Sequence, residues 1–384
     1  MDFQLPEELN LFRETLRRFV DRELIPHEGQ TMVDGRVTDQ MHALISQKAQ
    51  DAGIWMLEVP EKYGGQELGA LALTVFWEEI SRTTALPPRD QTVFGPMVGP
   101  ILLGLNGDLA DRYLYPVLRG EKRTCFAQTE PAAGADPAGI KTKAIREGDF
   151  YRLNGSKHFI TDAVRADFAQ VIVSTTPGTG AKGISCLLVD MATAGVTLSR
   201  PQQTMMGEQT HEINFDDVLV PVENLVGGEG RGFALAQSWI TLGRIRHAAR
   251  ACGVAERCLE LAAIHARQRQ TFGVPLSERQ MVQQMLADSF IELHATRLMM
   301  RAAAQGLDDG QDIRHQAYMC KIYGDEMSFR VADRCMQIHG ALGLTPDLPI
   351  EQFWRDQRAM RITEGPSEVL RVQVAKYVLQ HYAV

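Results

Sequence analysis

A chain of 384 residues is longer than one ordinary domain core, so two or three domains or one large composite unit are expected. Hydrophobic residues make up 45% of the chain, which suffices for a globular protein. The formal net charge of -8 disfavours nucleic acid and anionic membranes as partners. No apolar run approaches the roughly 20 residues needed to span a bilayer, so no membrane span is expected.

The first part of the chain has the apolar spacing of helices. Leu5, Leu9, Phe12, Leu16 and Phe19 recur at helical intervals, and glycine and proline pairs interrupt the pattern further on. This spacing predicts several helices joined by tight turns, and we assign residues 1–122 to an N-terminal all-α domain.

The middle of the chain changes to a period of two, which is typical of strands. Residues 150–161 contain an Asn154-Gly155 pair and predict a β-hairpin, and residues 168–174, 183–190 and 212–220 predict further strands. We therefore assign residues 123–230 to a middle β-barrel-like domain. The glycine-rich segment 227–233 lacks the strand–helix context of a dinucleotide site and is interpreted as a lead into the next helix.

The last part of the chain is again helical. Long periodic stretches cover residues 234–267, 277–305, 312–338 and 366–381, which predicts a C-terminal four-helix bundle over residues 231–384 that also packs against other subunits. The order of helices, strands and helices predicts an α+β fold with three parts.

The cysteine and histidine patterns contain no metal-site spacing. The six cysteines form no CxxC pair and the ten histidines form no HExxH, so no metal is expected. Reduced cysteines fit a cytoplasmic location.

The segment WRDQRAMRITEGPSEVLR, residues 354–371, places Glu364 just ahead of a signalled helix start. Gly365 is expected as the N-cap, Pro366 as the first helical residue and Glu368 as a capping-box acid. A Glu near a helix N-terminus is commonly there for the helix dipole. A catalytic interpretation therefore needs support from other segments.

Three other segments supply that support, and the four together resemble the acyl-CoA dehydrogenases over about residues 5–379. The segments are CFAQTEPAAGADPAGIKTKA with YRLNGSKHFIT (125–144 and 151–161), RQTFG (269–273), MQIHGALG (336–343) and RDQRAMRITEGPSEVLR (355–371). The resemblance implies the family's three-domain fold, FAD as cofactor, and dehydrogenation of an acyl-CoA thioester to a trans-2-enoyl-CoA in fatty acid metabolism such as β-oxidation. It also implies electron transfer to an electron-transfer flavoprotein and a homotetramer built as a dimer of dimers.

The resemblance implies that Glu364 is the base that removes the α proton. Some relatives carry the base just before the Arg that corresponds to Arg244, and here that position is Gly243, so Glu364 has no competitor. In the family the base N–H helps to bind the thioester oxygen, as an oxyanion hole does. We expect exclusion of water by the acyl chain to raise the pKa of Glu364. Ala135, Arg244 and Gly365 correspond to substrate-binding positions.

The resemblance also implies a set of FAD contacts. Thr129 and Thr161 correspond to residues that hydrogen-bond the flavin ring edge, although an isolated Thr at a strand end often bonds backbone instead. Phe159 stands where the family usually has Trp. Arg269 corresponds to an Arg that reaches the FAD diphosphate across a subunit interface, where a guanidinium fork suits the ligand. The remaining expected cofactor contacts are Phe126, Gln128, Thr271, Phe272, Gln280, Gln337, Gly340, Ala341, Pro366 and Glu368.

Two alternatives stay open. One is an acyl-CoA oxidase or another flavin-dependent acyl-CoA transformation on the same scaffold. The other is a flavin-free interaction protein that has kept only the fold.

Overall fold

The structure is a computed structural model that describes residues 4–382, without the side chain of Pro137. The described part mixes helices and strands, and the α-helices and strands have the following bounds. The α-helices are α1 (Glu7–Phe19), α2 (Asp39–Asp51), α3 (Ala70–Ile80), α4 (Pro100–Leu103), α5 (Gly107–Leu109), α6 (Tyr115–Leu118), α7 (Gly232–Gln268), α8 (Gln280–Asp308), α9 (Arg314–His339), α10 (Ile350–Met360) and α11 (Ser367–His381). The strands are β1 (Met32–Val33), β2 (Arg36–Val37), β3 (Thr124–Ala127), β4 (Lys143–Glu147), β5 (Phe150–Thr161), β6 (Phe168–Ser174), β7 (Ile184–Asp190), β8 (Val196–Leu198), β9 (Gln202–Gln203), β10 (Gln209–Pro221), β11 (Leu225–Val226), β12 (Gln270–Thr271) and β13 (Val274–Pro275).

The predicted α+β order of helices, strands and helices is confirmed. Each end of the four long helices predicted after residue 231 lies within three residues of its observed position. The chain divides into two compact units, residues 4–95 with 241–382 (unit 1) and Pro96–Ile240 (unit 2). The domain boundaries at residues 122/123 and 230/231 stay a prediction. No helix within residues 4–382 has the length and apolar character needed to cross a membrane.

In unit 1, α7 packs against α9 through small residues. Ala248, Ala251 and Ala255 are fully buried there. On α9, Gly324 lies so close to α7 that an added Cβ would be 3.1 Å from the Ala248 Cα. Helices that approach this closely need small side chains at the contact, because larger ones would force the backbones apart. The close approach of α7 and α9 fixes which polar side chains meet across them.

Unit 2 is built around one mixed sheet. Its strands run in the order β11-β7-β6-β4-β5-β10-β8, with β3 pairing parallel to β6 and β9 pairing with β10. Every residue of β6 and all but one residue of β7 are buried, as expected for strands covered on both faces. These strands support the segment that follows β3 and the end of β5, where sequence analysis placed the flavin contacts.

The hairpin predicted at Asn154-Gly155 is wrong, because β5 continues through both residues as one strand. The amide of Asn154 instead donates to Asp217 Oδ1 at 2.9 Å and accepts from the Asp217 N–H at 2.9 Å. Asp217 lies in an irregularity of the pairing between β10 and β5. The Asn-Gly signal therefore serves a β-bulge, while the turn that joins β4 to β5 lies at Gly148 and Asp149.

Gly155→Ala should destabilise the protein more than Gly148→Ala. Both glycines have positive φ, +142° and +62°, so either alanine is strained by about 1–3 kcal/mol. At Gly155 the new Cβ would also lie 2.7 Å from the Thr142 Cα, whereas Gly148 has open space. Urea unfolding of both variants measures the difference, and equal midpoints would contradict the close packing of β5 on Thr142.

Candidate functional site

Glu364 lies in the turn between α10 and α11, in unit 1. Glu364 has a φ of +53° and Gly365 a φ of +108°, so the chain reverses before α11 begins at Ser367. The predicted helix start is therefore corrected: Pro366, not Gly365, is the N-cap, and no side chain caps the helix. A non-glycine residue at positive φ is strained, and such strain is found at functional sites more than elsewhere.

The Glu364 carboxylate lies directly on the backbone of α7. A Cβ added at Gly243 would overlap Glu364 Oε2, and no larger residue fits there while the carboxylate keeps this position. One turn further along α7, His247 Nε2 is 3.6 Å from Glu364 Oε1. Gly243, interpreted from the sequence as a position that lacks a catalytic base, thus leaves room for the Glu364 carboxylate.

A chain of buried polar groups extends behind His247. His247 Nδ1 lies 3.2 Å from Asp325 Oδ2, and Lys321 Nζ donates to the same oxygen at 2.9 Å and to the Met360 carbonyl at 3.0 Å. The side chains of His247 and Lys321 are fully buried and that of Asp325 is 1% exposed. Because Asp325 accepts at Nδ1, the imidazole is held with Nε2 directed at Glu364.

The charges around Glu364 favour its ionised form. Burial acts to raise its pKa, but the pKa is lowered because His247, Arg246 and Arg250 outweigh burial. This is opposite to the increase expected with an acyl chain in place. The pKa of Asp325 is lowered too, since His247 and Lys321 outweigh the effect of burial. In the chain alone the local cations, and not burial, therefore decide the protonation of Glu364.

Arg244 and Gly365 lie beside Glu364. The Arg244 guanidinium lies over the Tyr318 ring, 4.9 Å from its centroid. A Cβ at Gly365 would be 3.6 Å from Arg244 Nη2. Burial is the main cause that lowers the pKa of Arg244, although Tyr318 and Glu364 act to raise it. Unit 1 thus brings together Glu364, Gly365 and Arg244.

His247, Asp325 and Lys321 were missed by the sequence analysis. His247 follows Gly243 by four residues on α7, and Lys321 precedes Asp325 by four on α9, so each pair shares one helix face. A Lys and an Asp at this spacing amid apolar residues signal a buried pair. Their meeting with His247 depends on how α7 and α9 pack, which the sequence does not state.

Unit 2 holds the predicted flavin-ring residues near the end of β5. The Thr129 carbonyl accepts from the His158 N–H at 2.7 Å, and the Gln128 carbonyl accepts from Lys157 Nζ at 3.1 Å. Lys157 also donates to Glu130 at 2.7 Å, and burial, the largest effect, lowers its pKa to about 8. The residues around Thr129 are therefore fastened to the strand that ends at Thr161.

Four predicted positions in unit 2 have distinct surroundings. Gln128 Oε1 is buried without a hydrogen-bond partner in the described part of the chain. Phe159 has a φ of +56° and is 56% exposed. Phe126 stacks on Trp239 with ring centroids 5.8 Å apart, while Ala135 is exposed. The exposed ring and the free acceptor leave polar and aromatic groups for a planar ligand.

The remaining predicted cofactor residues lie in unit 1. Arg269, Gln280, Gln337, Gly340, Ala341 and Glu368 are exposed, and Thr271 and Pro366 are half-buried. Phe272, at the tip of the β12–β13 hairpin with a φ of +50°, is 98% exposed. A single described chain therefore does not enclose these residues around a common cavity.

Lys321→Met should destabilise the protein by about 3–5 kcal/mol, because it leaves the Asp325 carboxylate buried beside a neutral side chain. The lowered pKa of Asp325 contributes stability above its unfolded pKa of about 3.9, and that stability is lost as pH falls through the folded pKa. Without the lysine the folded pKa rises, so acid unfolding should begin at higher pH. Circular dichroism across pH measures this. Lys376→Met, on exposed α11, is the control, and identical acid profiles for the two variants would contradict the assignment.

Comparison with known proteins shows where this fold belongs. Models of the acyl-CoA dehydrogenase N-terminal, middle and C-terminal domains match residues 6–121, 125–218 and 230–379. The chain is 33% identical to the mitochondrial short-chain specific acyl-CoA dehydrogenase of Mus musculus, over 99% of this chain and 92% of that protein. It is 30% identical to the caffeyl-CoA reductase-Etf complex subunit CarC of Acetobacterium woodii, over 97% of this chain and 99% of that protein.

A solved structure extends the similarity to three dimensions. The butyryl-CoA dehydrogenase of Megasphaera elsdenii aligns with a TM-score of 0.86 and 30% identity, over 99% of this chain and 100% of that chain. The resemblance drawn from the four sequence segments is thereby confirmed, as is the three-domain fold. The chain is an oxidoreductase that belongs to the acyl-CoA dehydrogenase family, whose members are flavoproteins.

Proposed function

We propose that this protein is an FAD-dependent acyl-CoA dehydrogenase that converts an acyl-CoA thioester to a trans-2-enoyl-CoA, with Glu364 as the base. The observation that carries the proposal is the position of Glu364: strained at positive φ, placed on Gly243, and kept ionised by cations. FAD, when bound, supplies the acceptor for the β hydride. An ionised carboxylate held in one place is what removal of a weakly acidic α proton requires.

His247 has a positioning role in this proposal. Its Nε2 lies 3.6 Å from Glu364 Oε1, and Asp325 holds the ring from the other side. The contact keeps the carboxylate oriented for the reaction. The positive groups around Glu364 lower its basicity, so desolvation by the acyl chain has to restore it.

The turn that carries Glu364 also offers a donor for the thioester oxygen. Among residues 4–382 the Glu364 N–H makes no backbone hydrogen bond. A donor fixed in advance by the turn can bind the oxygen as negative charge develops on it. Base and donor then belong to the same residue, which sets their mutual geometry.

The residues of unit 2 fit a flavin ring. Gln128 Oε1 is a buried acceptor without a partner, and a flavin has an imide N–H that such an acceptor can bind. Thr129 and Thr161 would supply hydroxyls at the ring edge, and Phe159 an aromatic face. Arg269, Thr271, Phe272, Gln280, Gln337, Gly340, Ala341, Pro366 and Glu368 would hold the rest of FAD. Ala135 and Gly365 would contact substrate.

The assembly and electron acceptor form part of the same proposal. The proposed oligomer is a homotetramer of paired dimers, and Phe272, 98% exposed at a hairpin tip, is a large apolar group that another subunit can cover. The similarity to a subunit named for an Etf complex supports an electron-transfer flavoprotein as acceptor. Six free, buried cysteines support a cytoplasmic location.

Glu364→Gln should retain FAD and lose dehydrogenation. Removing the base should lower the rate of flavin bleaching about 10²–10⁴-fold, because the amide cannot accept the α proton. The measurement is anaerobic bleaching of the visible flavin band by butyryl-, hexanoyl- and octanoyl-CoA, with Glu121→Gln in unit 2 as control. A Glu364→Gln enzyme with most of its rate would overturn the assignment. Rapid reoxidation of the bleached wild-type enzyme by oxygen would favour the oxidase, and a protein that takes up no FAD would favour the flavin-free alternative.

Gly243→Ala should lower the bleaching rate although alanine is the better helix former. The added Cβ would overlap Glu364 Oε2, so the carboxylate must leave its place beside His247. Thermal unfolding and FAD content should stay near wild type while the bleaching rate falls about 10²-fold. An unchanged rate would show that the contact between Glu364 and α7 does not matter for the reaction.

A further inference from the structure

One cavity in unit 1 lies further along α7 from Glu364. It is lined by the end of α3, the segment that follows it, α7 and α10. Its polar lining includes Asp90, Gln91, Arg250, Asp356 and Gln357. The sequence analysis assigned no site role to any of these residues, and Arg250 is also one of the cations that lower the pKa of Glu364.

Arg250 is the unusual residue of this cavity. The residue is 5% exposed, and its Nη2 is buried without a hydrogen-bond partner among the described residues. Burial, the largest effect, lowers its pKa to about 9, with further lowering by Arg246 and Arg89, while Glu364 and Glu58 act to raise it. The guanidinium is therefore still charged at neutral pH. A buried guanidinium with an unused donor is costly unless an acceptor completes it, and an anion is the acceptor that also offsets its charge.

The carboxylates near Arg250 already accept hydrogen bonds from other residues. Glu58 bonds Arg246 and Trp77, at 3.1 and 3.0 Å, and Asp90 accepts from Thr92 at 2.7 Å. Asp356 accepts from Gln352 at 2.7 Å, and the Gln357 amide oxygen accepts from Ser328 at 2.7 Å.

The spacing on α7 relates the cavity to the base. Gly243, His247, Arg250 and Val254 recur every three or four residues and so lie on one face of the helix. Glu364 covers Gly243 and His247, whereas Arg250 and Val254 line the cavity. Along the helix axis, Arg250 lies about 7–8 Å beyond the midpoint between Gly243 and His247. A group bound at Arg250 would thus lie about 7–8 Å along α7 from the Glu364 contact.

We propose that the acyl group carries an anionic substituent, a carboxylate or a phosphate, which binds Arg250 in this cavity. The inference rests on the proposed function and names its substrate class. An uncharged acyl chain would leave the guanidinium desolvated with its donor unused, whereas an anion forms a charge-assisted hydrogen bond with it. Arg250 is thus assigned as a specificity-determining residue, separate from the residues that act on the α carbon.

The test compares adipoyl-CoA with hexanoyl-CoA, which have the same number of carbons and differ by one terminal carboxylate. With wild-type holoenzyme, adipoyl-CoA should bleach the flavin with the higher kcat/KM. Arg250→Gln should lower the ratio of kcat/KM for adipoyl-CoA to that for hexanoyl-CoA about 10- to 100-fold. Arg250→Lys should recover part of the loss. Arg257→Gln is the matched control. Arg257 lies two turns beyond Arg250 on α7 and donates a hydrogen bond to Glu260. FAD content and thermal unfolding show that each variant folds.

The outcomes separate this inference from the proposed function. If hexanoyl-CoA bleaches wild type as well as adipoyl-CoA does, and Arg250→Gln changes neither, the dehydrogenase stands and the anionic substrate is overturned. If no thioester bleaches any variant, the proposed function fails. If inorganic phosphate inhibits hexanoyl-CoA turnover in wild type but not in Arg250→Gln, while adipoyl-CoA has no advantage, the cavity binds a free anion and the substituent is overturned.

Discussion

The contact between the Glu364 carboxylate and the backbone of α7 is the constraint on which the rest of the site depends. It requires a glycine at position 243, a positive φ at residue 364, and a partner on the next turn of α7. The first two requirements are unfavourable in themselves, because glycine weakens a helix and the left-handed backbone is strained. The glycine, the strained turn and the histidine all serve the placement of this one carboxylate.

The arrangement depends in turn on how closely α7 and α9 pack. Gly324 against Ala248 lets the two backbones approach until His247 meets Asp325. Three buried ionisable groups follow, with Lys321 bonded both to Asp325 and to the end of α10. A buried cluster of this kind adds little net stability over apolar residues of the same volume. Its value lies in fixing the direction of the imidazole that orients Glu364.

The sequence predicts those parts of the molecule that depend on local pattern. Helical periodicity located the four long C-terminal helices, and alternation located the strands of unit 2. The hairpin at Asn154-Gly155 was wrong because the same dipeptide can serve a bulge when a partner strand supplies an aspartate. His247 was missed because its role comes from two helices packing together, and exposure of Phe272 could not be read from a local motif. Family resemblance found Glu364, Gly365 and Arg244, which the structure does bring together.

The positive charges near Glu364 affect its ionisation and its basicity in opposite ways, and binding of the acyl group changes both. Cations on α7 keep the carboxylate ionised, and by the same interaction they make it a weaker base. A neutral acyl chain would raise the basicity of Glu364 by excluding water but would leave Arg250 without an anion. An acyl chain with a distal anion does both, because it excludes water at Glu364 and neutralises one of the cations that weaken the base. Substrate charge would then contribute to the reaction itself, since occupation of Arg250 raises the proton affinity of the carboxylate that removes the α proton.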